Sequence, residues 1–542
     1  MKDIKEKINE WKIYEENKQY KENELKMKLH NENAYQYDDM LGKLEAYSRE
    51  NIVPMHMPGA KRNRELIGRY IDDVSSPYDI DITEIDGFDN MHNADGIIKR
   101  AFEKTAALYG ADESLFLVNG STAGNMAAIC GVTSKGDSII VARNCHISVY
   151  NAIILNELDA NYVYPQYDDE YGYYKGISLR EIKDAVEKNE DMGKDIKAVV
   201  ITSPTYEGNV SDIKNIAAYL HEHNIPLIVD EAHGAHFKFS CEFPQTAVEQ
   251  GADIVINSVH KTLPSLTQTA VMHINYGYVN VSKVKRYWNI YQSTSPSYIL
   301  MGSIDRCMSI IQNDGKYLFE NYISKLKILR NKLNQLKNIK LIDSDDISKI
   351  VIGCDNAKKL YDILLNEYGI QLEMSSLKYA IAMTSIFDSA EYYDRFYNAL
   401  CEIDRRYNAN NNQNYAEPCN IFNNTSSIKK ADIKVNIADF KNEALMSIAK
   451  ALNEGDKNGY DKIMMNDSSL YGRISAKMVY VYPPGIPILC PGEIISENVV
   501  NIISKAIENG LEVVGLEDNL KDSCNDKNTK NEGCKGAFVC LK

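Results

Sequence analysis

A chain of 542 residues is too long for a single hydrophobic core, so two to four domains are expected. Its composition, 44% hydrophobic and 25% charged, is that of an ordinary globular protein, and with no run of about 18 apolar residues it predicts no transmembrane helix. The net charge of -15 argues against a nucleic-acid partner, which calls for a basic face, and suits a cationic small molecule.

Residues 1–36 are rich in Lys, Glu and Asn, with Ile4, Ile8 and Trp11 at helical spacing, and they predict a helical or partly disordered arm. This opening has no apolar signal core, so a cytoplasmic location is expected. Asp38 to Tyr47 repeats the helical pattern. His56-Met57-Pro58-Gly59-Ala60-Lys61 is a turn with Pro-Gly punctuation. From residue 97 the pattern becomes regular. A helix over Ile97–Tyr109 precedes a strand at Ser114–Val118, a polar Gly-Ser-Thr loop and a helix from Met126. Further strands are predicted at Ser138–Ala142, Lys197–Thr202, Pro226–Val229, Asp253–Asn257 and Gln268–Ile274, with helices between them. Such alternation implies βαβ units and a largely parallel sheet. In these sheets ligands gather beyond the carboxyl ends of the strands. Beyond residue 285 the chain changes character, with a long helix expected over Tyr317–Leu336 and strands within Ile339–Cys354. A helical pattern is expected over Asp432–Ile463 and a strand over Lys477–Tyr482.

The expected organisation is an N-terminal helical arm (1–50), a large domain (51–310), a small α/β domain (311–407), an Asn-rich linker (408–430), a C-terminal α+β domain (431–517) and a disordered tail (518–542). The 11 cysteines are odd in number and scattered. Those in apolar stretches, such as Cys130, Cys307 and Cys401, read as reduced core residues. Cys524, Cys534 and Cys540 match no zinc spacing, and no metal site is expected.

The chemistry-bearing residues fall at the predicted strand ends. Lys261 follows the Asp253–Asn257 strand within Ser258-Val259-His260-Lys261, and Asp230 closes the strand before it, within Asp230-Glu231-Ala232-His233. A lysine amine and a carboxylate on neighbouring strands are what pyridoxal phosphate (PLP) requires. The amine holds its aldehyde as a Schiff base, and the carboxylate keeps its pyridine nitrogen protonated. Gly120-Ser121-Thr122-Ala123-Gly124-Asn125 lies between a strand and a helix, where hydroxyls and helix N–H groups bind phosphate. His146 opens another helix and can lie flat against a ring; Ser258 and His260 can reach phosphate oxygens. Each of these residues also has a plain structural reading as a helix cap, a turn former or a core histidine.

These motifs together resemble the ornithine/lysine/arginine decarboxylase family of fold-type I PLP enzymes. Ser258-x-His260-Lys261 with Gln268 resembles its PLP-lysine signature, and Asn119 to Asn125 its phosphate loop. Arg143 to His146 resembles the segment with the ring-stacking histidine, and Asp230 to Gly234 the pyridine-nitrogen segment. Thr294-Ser295-Pro296-Ser297-Tyr298 resembles the loop by which a dimer mate reaches the cofactor phosphate. Tyr482 to Pro487 and Pro491-Gly492-Glu493 resemble the C-terminal domain. Two positions depart from the family pattern: Ala60 where histidine is usual, and Ile147 where lysine is usual.

The resemblance implies an aspartate-aminotransferase-like α/β domain with a mainly parallel sheet, a smaller α/β domain and a C-terminal α+β domain. It implies PLP-dependent loss of CO2 from a basic amino acid, arginine before lysine or ornithine. Lys261, Asp230 and His146 would be catalytic. Ser121, Thr122, His233, Ser258 and His260 would bind the cofactor, with Thr294 and Ser295 reaching it from a partner subunit. Glu493 would meet the distal cation of the substrate. A homodimer or larger homo-oligomer follows from the borrowed loop. Another fold-type I activity, such as an aminotransferase, or a non-catalytic regulatory relative are the competing readings.

Overall fold

The computed structural model describes residues 40–71, 77–411, 442–483, 485–517 and 536–542. The chain divides at residue 52 into two units. In the first, the described residues form one helix, Met40–Arg49. The expected arm before it, with Trp11, lies outside the described residues.

The second unit is built on a seven-stranded sheet. In chain order its strands are β1 (Glu113–Leu117), β2 (Ser138–Ala142), β3 (Asp159–Val163), β4 (Ile196–Thr202), β5 (Leu227–Asp230), β6 (Ile254–Asn257) and β7 (Ala270–Ile274). Their spatial order is β1-β7-β6-β5-β4-β2-β3. Pairing from β6 through β3 is parallel, while β7 runs antiparallel to both β1 and β6. β5, β6 and β7 are buried along their whole length. Continuous Val/Ile runs such as Ile254-Val255-Ile256 form here because both sheet faces are covered by helices.

The helix after β1 begins at Gly120, six residues before the expected Met126, and runs to Val132. Small residues allow the early start. A side chain at Gly124 would bring its Cβ to 2.5 Å from Leu117 Cδ1 and 3.1 Å from Ile256 Cγ2, so glycine lets the first turns lie against the sheet.

The long helix runs unbroken from Tyr298 to Leu333, starting well before the expected Tyr317. The Ser297 hydroxyl caps it by accepting from Leu300 N–H. It leads into a four-stranded antiparallel sheet of Lys340–Ile342, Lys349–Gly353, Tyr379–Met383 and Met374–Ser375 in spatial order. The helix Ala390–Asn411 continues into the expected Asn-rich linker, whose remainder lies outside the described residues.

In the C-terminal region, helix Ile448–Asn458 ends at Gly459, whose φ of 85° turns the chain into a strand, Tyr460–Met464, where a continuing helix was expected. That strand pairs antiparallel with Ala537–Leu541. The expectation of a disordered tail fails for these last residues. Ala537, Phe538, Val539, Cys540 and Leu541 are all buried, and five apolar residues in succession repay the ordering of their backbone. Residues 518–535, with Cys524 and Cys534, lie outside the described residues. A second core forms where helix Glu497–Glu508 lays Val499, Val500 and Ile503 against Val479, Leu489 and Phe538. Among the described residues no helix is long and apolar enough to cross a membrane.

Candidate active site

One cavity of about 720 Å³ opens at the carboxyl ends of β2, β4, β5 and β6. It is lined by Ser121, Thr122, His146, Asp230, His233, Ser258, His260 and Lys261, so the structure brings eight of the sequence-predicted residues together.

Asp230, the last residue of β5, is 3% exposed. Its Oδ2 accepts from Asn125 Nδ2 at 2.8 Å and its Oδ1 from the Ala232 N–H at 3.1 Å. The two donors fix the carboxylate's plane without neutralising its charge. Lys261 lies on the one-turn helix Val259–Thr262 that follows β6. Burial pushes its ammonium below the usual lysine range, against the opposing pull of Asp230 and Glu373. Its Nζ lies 3.0 Å from His233 Nε2.

His146 caps the helix Ile147–Leu155, its Nδ1 taking the Ser148 N–H at 3.2 Å and lying 2.9 Å from the Ser148 hydroxyl. Burial, with Lys261 close by, lowers its affinity for a proton despite the pull of Asp230. The C-terminal region lies beside it: the Ile147 N–H donates to Gly485 O, and a Cβ built on Gly485 would stand 3.6 Å from the imidazole.

Opposite, the helix Gly120–Val132 points its N-terminus into the cavity. Its first N–H groups have no intrahelical partner, and the Ser121 and Ser258 hydroxyls lie 2.5 Å apart beside them. His260 Nδ1–H donates to Thr269 O at 2.8 Å, and burial lowers its pKa to about 4. A dianion beside it would oppose that shift. A phosphate cradle, a carboxylate, an imidazole and a lysine around one cavity suit PLP, and this donor set fits that group.

Three predicted residues lie elsewhere. Thr294 and Ser295 are exposed and do not line this chain's cavity. Glu493 does not line it either. It is buried, and its carboxylate accepts from Arg143 Nη2 at 3.2 Å, Asn442 Nδ2 at 2.9 Å and the Cys490 N–H at 2.8 Å. Its charge is spent on Arg143. That guanidinium also donates to the Pro487 and Ile488 carbonyls, tying the end of β2 to the C-terminal region.

Two residues that sequence reasoning missed belong to the neighbourhood. Glu373 lines the cavity, where it accepts from the Tyr206 hydroxyl at 2.5 Å and the Met57 N–H at 2.9 Å. Lys349 is wholly buried, with Nζ 3.2 Å from His233 Nδ1. Both come from the four-stranded sheet region, far along the chain from the strand-end motifs.

The family model for the Orn/Lys/Arg decarboxylase major domain matches residues 40–379, and the model for the C-terminal domain of the same family matches residues 433–531. An arginine decarboxylase of Bacillus anthracis is 31% identical over 88% of this chain and 94% of its own length. The inducible lysine decarboxylase of Escherichia coli is 22% identical over 86% of this chain and 76% of its own length. The crystal structure of a Francisella novicida lysine decarboxylase superimposes with a TM-score of 0.69 at 20% identity, covering 92% of this chain and 80% of that one. The chain belongs to the Orn/Lys/Arg decarboxylase family and is an amino-acid decarboxylase.

Proposed function

We propose that the chain removes CO2 from a basic L-amino acid, arginine ahead of lysine and ornithine, using PLP held in the cavity at the strand ends. The observation that carries this reading is that Lys261, Asp230, His146 and the N-terminus of the Gly120–Val132 helix line one space. Arginine is placed first because the arginine decarboxylase relative is 31% identical and the lysine decarboxylase 22%.

When bound, PLP supplies an electron-accepting ring for the pair released as CO2 departs. The chain supplies everything else. Ser121, Thr122, Ser258 and the helix N-terminus would hold the phosphate, with His260 beside them. Asp230, its two oxygens fixed by Asn125 and Ala232, offers a preorganised negative charge to a protonated ring nitrogen. His146 presents an imidazole that burial keeps neutral. Lys261 provides the amine that anchors the cofactor, and it is the group that returns a proton to the substrate's α-carbon.

Arginine chemistry separates this reading from transamination. Aminotransferases grip the α-carboxylate with an arginine, which opposes its loss. Arg143, the one arginine lining this cavity among the described residues, is engaged by Glu493 and two carbonyls. Arg473 donates to Asp461 and to Leu541 O, away from the cavity. With Glu493 occupied, Glu373 is the carboxylate that would receive the substrate's distal cation, steadied by Tyr206. Thr294 and Ser295, exposed on this chain, would complete the phosphate site of a second copy in a homodimer.

The deciding experiment measures CO2 and amine released from arginine, lysine and ornithine by the full-length protein with added PLP. CO2 in step with agmatine, fastest from arginine, is expected. Release of an oxo acid without CO2 would overturn the reading. In the same assay Glu373→Gln is expected to raise KM for arginine about tenfold, the worth of one charge-assisted contact, while kcat changes little.

A further inference from the structure

The cavity encloses a second carboxylate and gives it no counter-ion. Glu207 follows Tyr206 directly in the chain, lines the cavity and is 7% exposed. Its Oε1 accepts from the Tyr379 hydroxyl at 2.7 Å, and the Thr205 hydroxyl also bonds the carboxylate. Among the described residues Glu207 forms no ion pair within 4.0 Å. Two lysines of the four-stranded sheet region are engaged elsewhere. Lys349 Nζ lies 3.2 Å from His233 Nδ1, and Lys378 Nζ donates to Glu170 O at 2.7 Å. Burial raises the pKa of Glu207, and Lys349 opposes this only through space. A cation seated beside the carboxylate would offset the desolvation it now bears.

The wall around Glu207 is aromatic. A hairpin pairs Tyr167–Asp168 with Tyr173–Tyr174, and its tyrosines line the cavity. The Tyr173 ring meets Tyr379 at 5.5 Å and the Tyr167 ring meets Tyr174 at 5.4 Å, both edge to face. The Tyr167 hydroxyl oxygen is buried without a hydrogen-bond partner among the described residues. Burial holds that hydroxyl protonated, with Tyr174, Asp169 and Glu207 adding to the effect. One corner of the cavity thus holds a carboxylate without a cation and a hydroxyl without a partner. Buried polar groups are normally bonded, so both point to ligand atoms between them.

Glu373 is close to this corner. The Tyr206 hydroxyl donates to it at 2.5 Å, and after burial the charges of Glu373 and Glu207 both hold that hydroxyl protonated. Two carboxylates therefore stand within electrostatic reach of one phenol. An ammonium ends in a single nitrogen, and one carboxylate balances it. A guanidinium is planar, spreads its charge over three nitrogens and carries N–H groups along more than one edge. One edge can meet Glu373 while another meets Glu207, with tyrosine rings against its flat faces. The end nitrogens of arginine also stand one bond further from the α-carbon than that of lysine, and two further than that of ornithine.

We propose that Glu207 is a specificity-determining residue: it takes the second edge of a guanidinium whose first edge meets Glu373, the Tyr167 hydroxyl oxygen accepts a remaining N–H, and the pair selects arginine over lysine and ornithine. The inference rests on the reading above, in which this cavity receives a basic amino acid.

The test uses the full-length protein with added PLP and compares kcat/KM for arginine and for lysine. Glu207→Gln keeps the size of the side chain and an acceptor for Tyr379 while removing the charge. The ratio of arginine to lysine is expected to fall about tenfold, the worth of one charge-assisted contact, chiefly through KM for arginine. Tyr167→Phe removes one hydrogen bond and should lower the same ratio about fivefold. A merely structural glutamate would lower both substrates together, so an unchanged ratio in a Glu207→Gln protein of native thermal midpoint overturns the proposal. If that variant does not fold, the ratio in Tyr167→Phe decides in the same way. Calorimetric titration with butylguanidine, which has no primary amine to replace Lys261, gives a readout without turnover. Its binding should weaken about tenfold in Glu207→Gln, and unchanged affinity, or no binding to the native protein, overturns the proposal. If neither amino acid releases CO2, the proposed reaction fails and butylguanidine affinity alone judges Glu207.

Discussion

Asn125 Nδ2 donates to Asp230 Oδ2 across 2.8 Å, linking the second turn of the Gly120–Val132 helix to the end of β5. The same amide donates to Ser148 Oγ, which also contacts His146 Nδ1. One buried amide therefore connects the carboxylate at one edge of the cavity with the imidazole on its face. Replacing Asn125 with Leu leaves Asp230 Oδ2 without its donor. A hydrogen bond to a charged group contributes about 1.5–3 kcal/mol, so PLP affinity should fall about tenfold or more. Titration of the protein with PLP, followed by absorbance, checks this; unchanged affinity would show that Asp230 needs no such support.

Arg143 and Glu493 form a buried pair, 4% and 2% exposed, between the end of β2 and the C-terminal region. Glu493→Ala leaves a buried guanidinium without its counter-charge, a loss of about 3–5 kcal/mol. Lower thermal midpoints and faster proteolysis of the C-terminal region are expected. Replacing both partners with Met should recover much of the loss, because no charge is then stranded. If Glu493→Ala instead left stability intact and raised only KM, the carboxylate would be assigned to the substrate's cation.

The central sheet and its loops were legible because each is local. A Val/Ile run followed at once by Asp230, or by Ser258-x-His260-Lys261, announces both the strand and the group at its end. Lys349 and Glu373 carry no such mark. Each sits among apolar residues of another sheet, and only the fold carries them to His233 and Tyr206. Glu493 shows the reverse case. Its motif located the segment correctly, but a carboxylate's partner depends on which arginine reaches it first in space. The last strand escaped notice because Ala537–Leu541 is short and its partner, Tyr460–Met464, lies more than 70 residues away in the chain.

Glu231, beside Asp230, points away from the cavity chemistry into the core. It accepts from Thr246 Oγ1, Asn257 Nδ2 and the Ala247 N–H, yet burial raises its pKa from 4.5 to about 7. Below 4.5 the folded and unfolded chains both carry the proton, and this group costs nothing. Between 4.5 and about 7 the folded chain keeps a proton that the unfolded chain has released, so stability falls as pH rises. Above about 7 the loss is complete, roughly 3 kcal/mol. Glu231→Gln has no such titration. The stability difference between the native protein and this variant should therefore shrink or reverse with rising pH across that window. Urea unfolding at a series of pH values would show it, and parallel curves would refute it.

Gly59 lies against the chain just after Lys261. Its N–H donates to His260 O at 2.8 Å, and a Cβ built on it would stand 2.7 Å from Leu263 O and 2.8 Å from Leu263 N. Those atoms are backbone, so they cannot rotate aside as a side-chain tip would. Gly59→Ala must push the Val259–Thr262 turn, and Lys261 with it, away from His233. Overpacking of this kind costs about 1–3 kcal/mol, and displacement of a reacting group by an ångström can lower the rate about a hundredfold. A large fall in kcat with a modest fall in thermal midpoint is expected. Gly87, whose added Cβ would meet no atom within 4 Å but whose φ is 89°, provides the control: Gly87→Ala strains the backbone and should leave kcat near the native value.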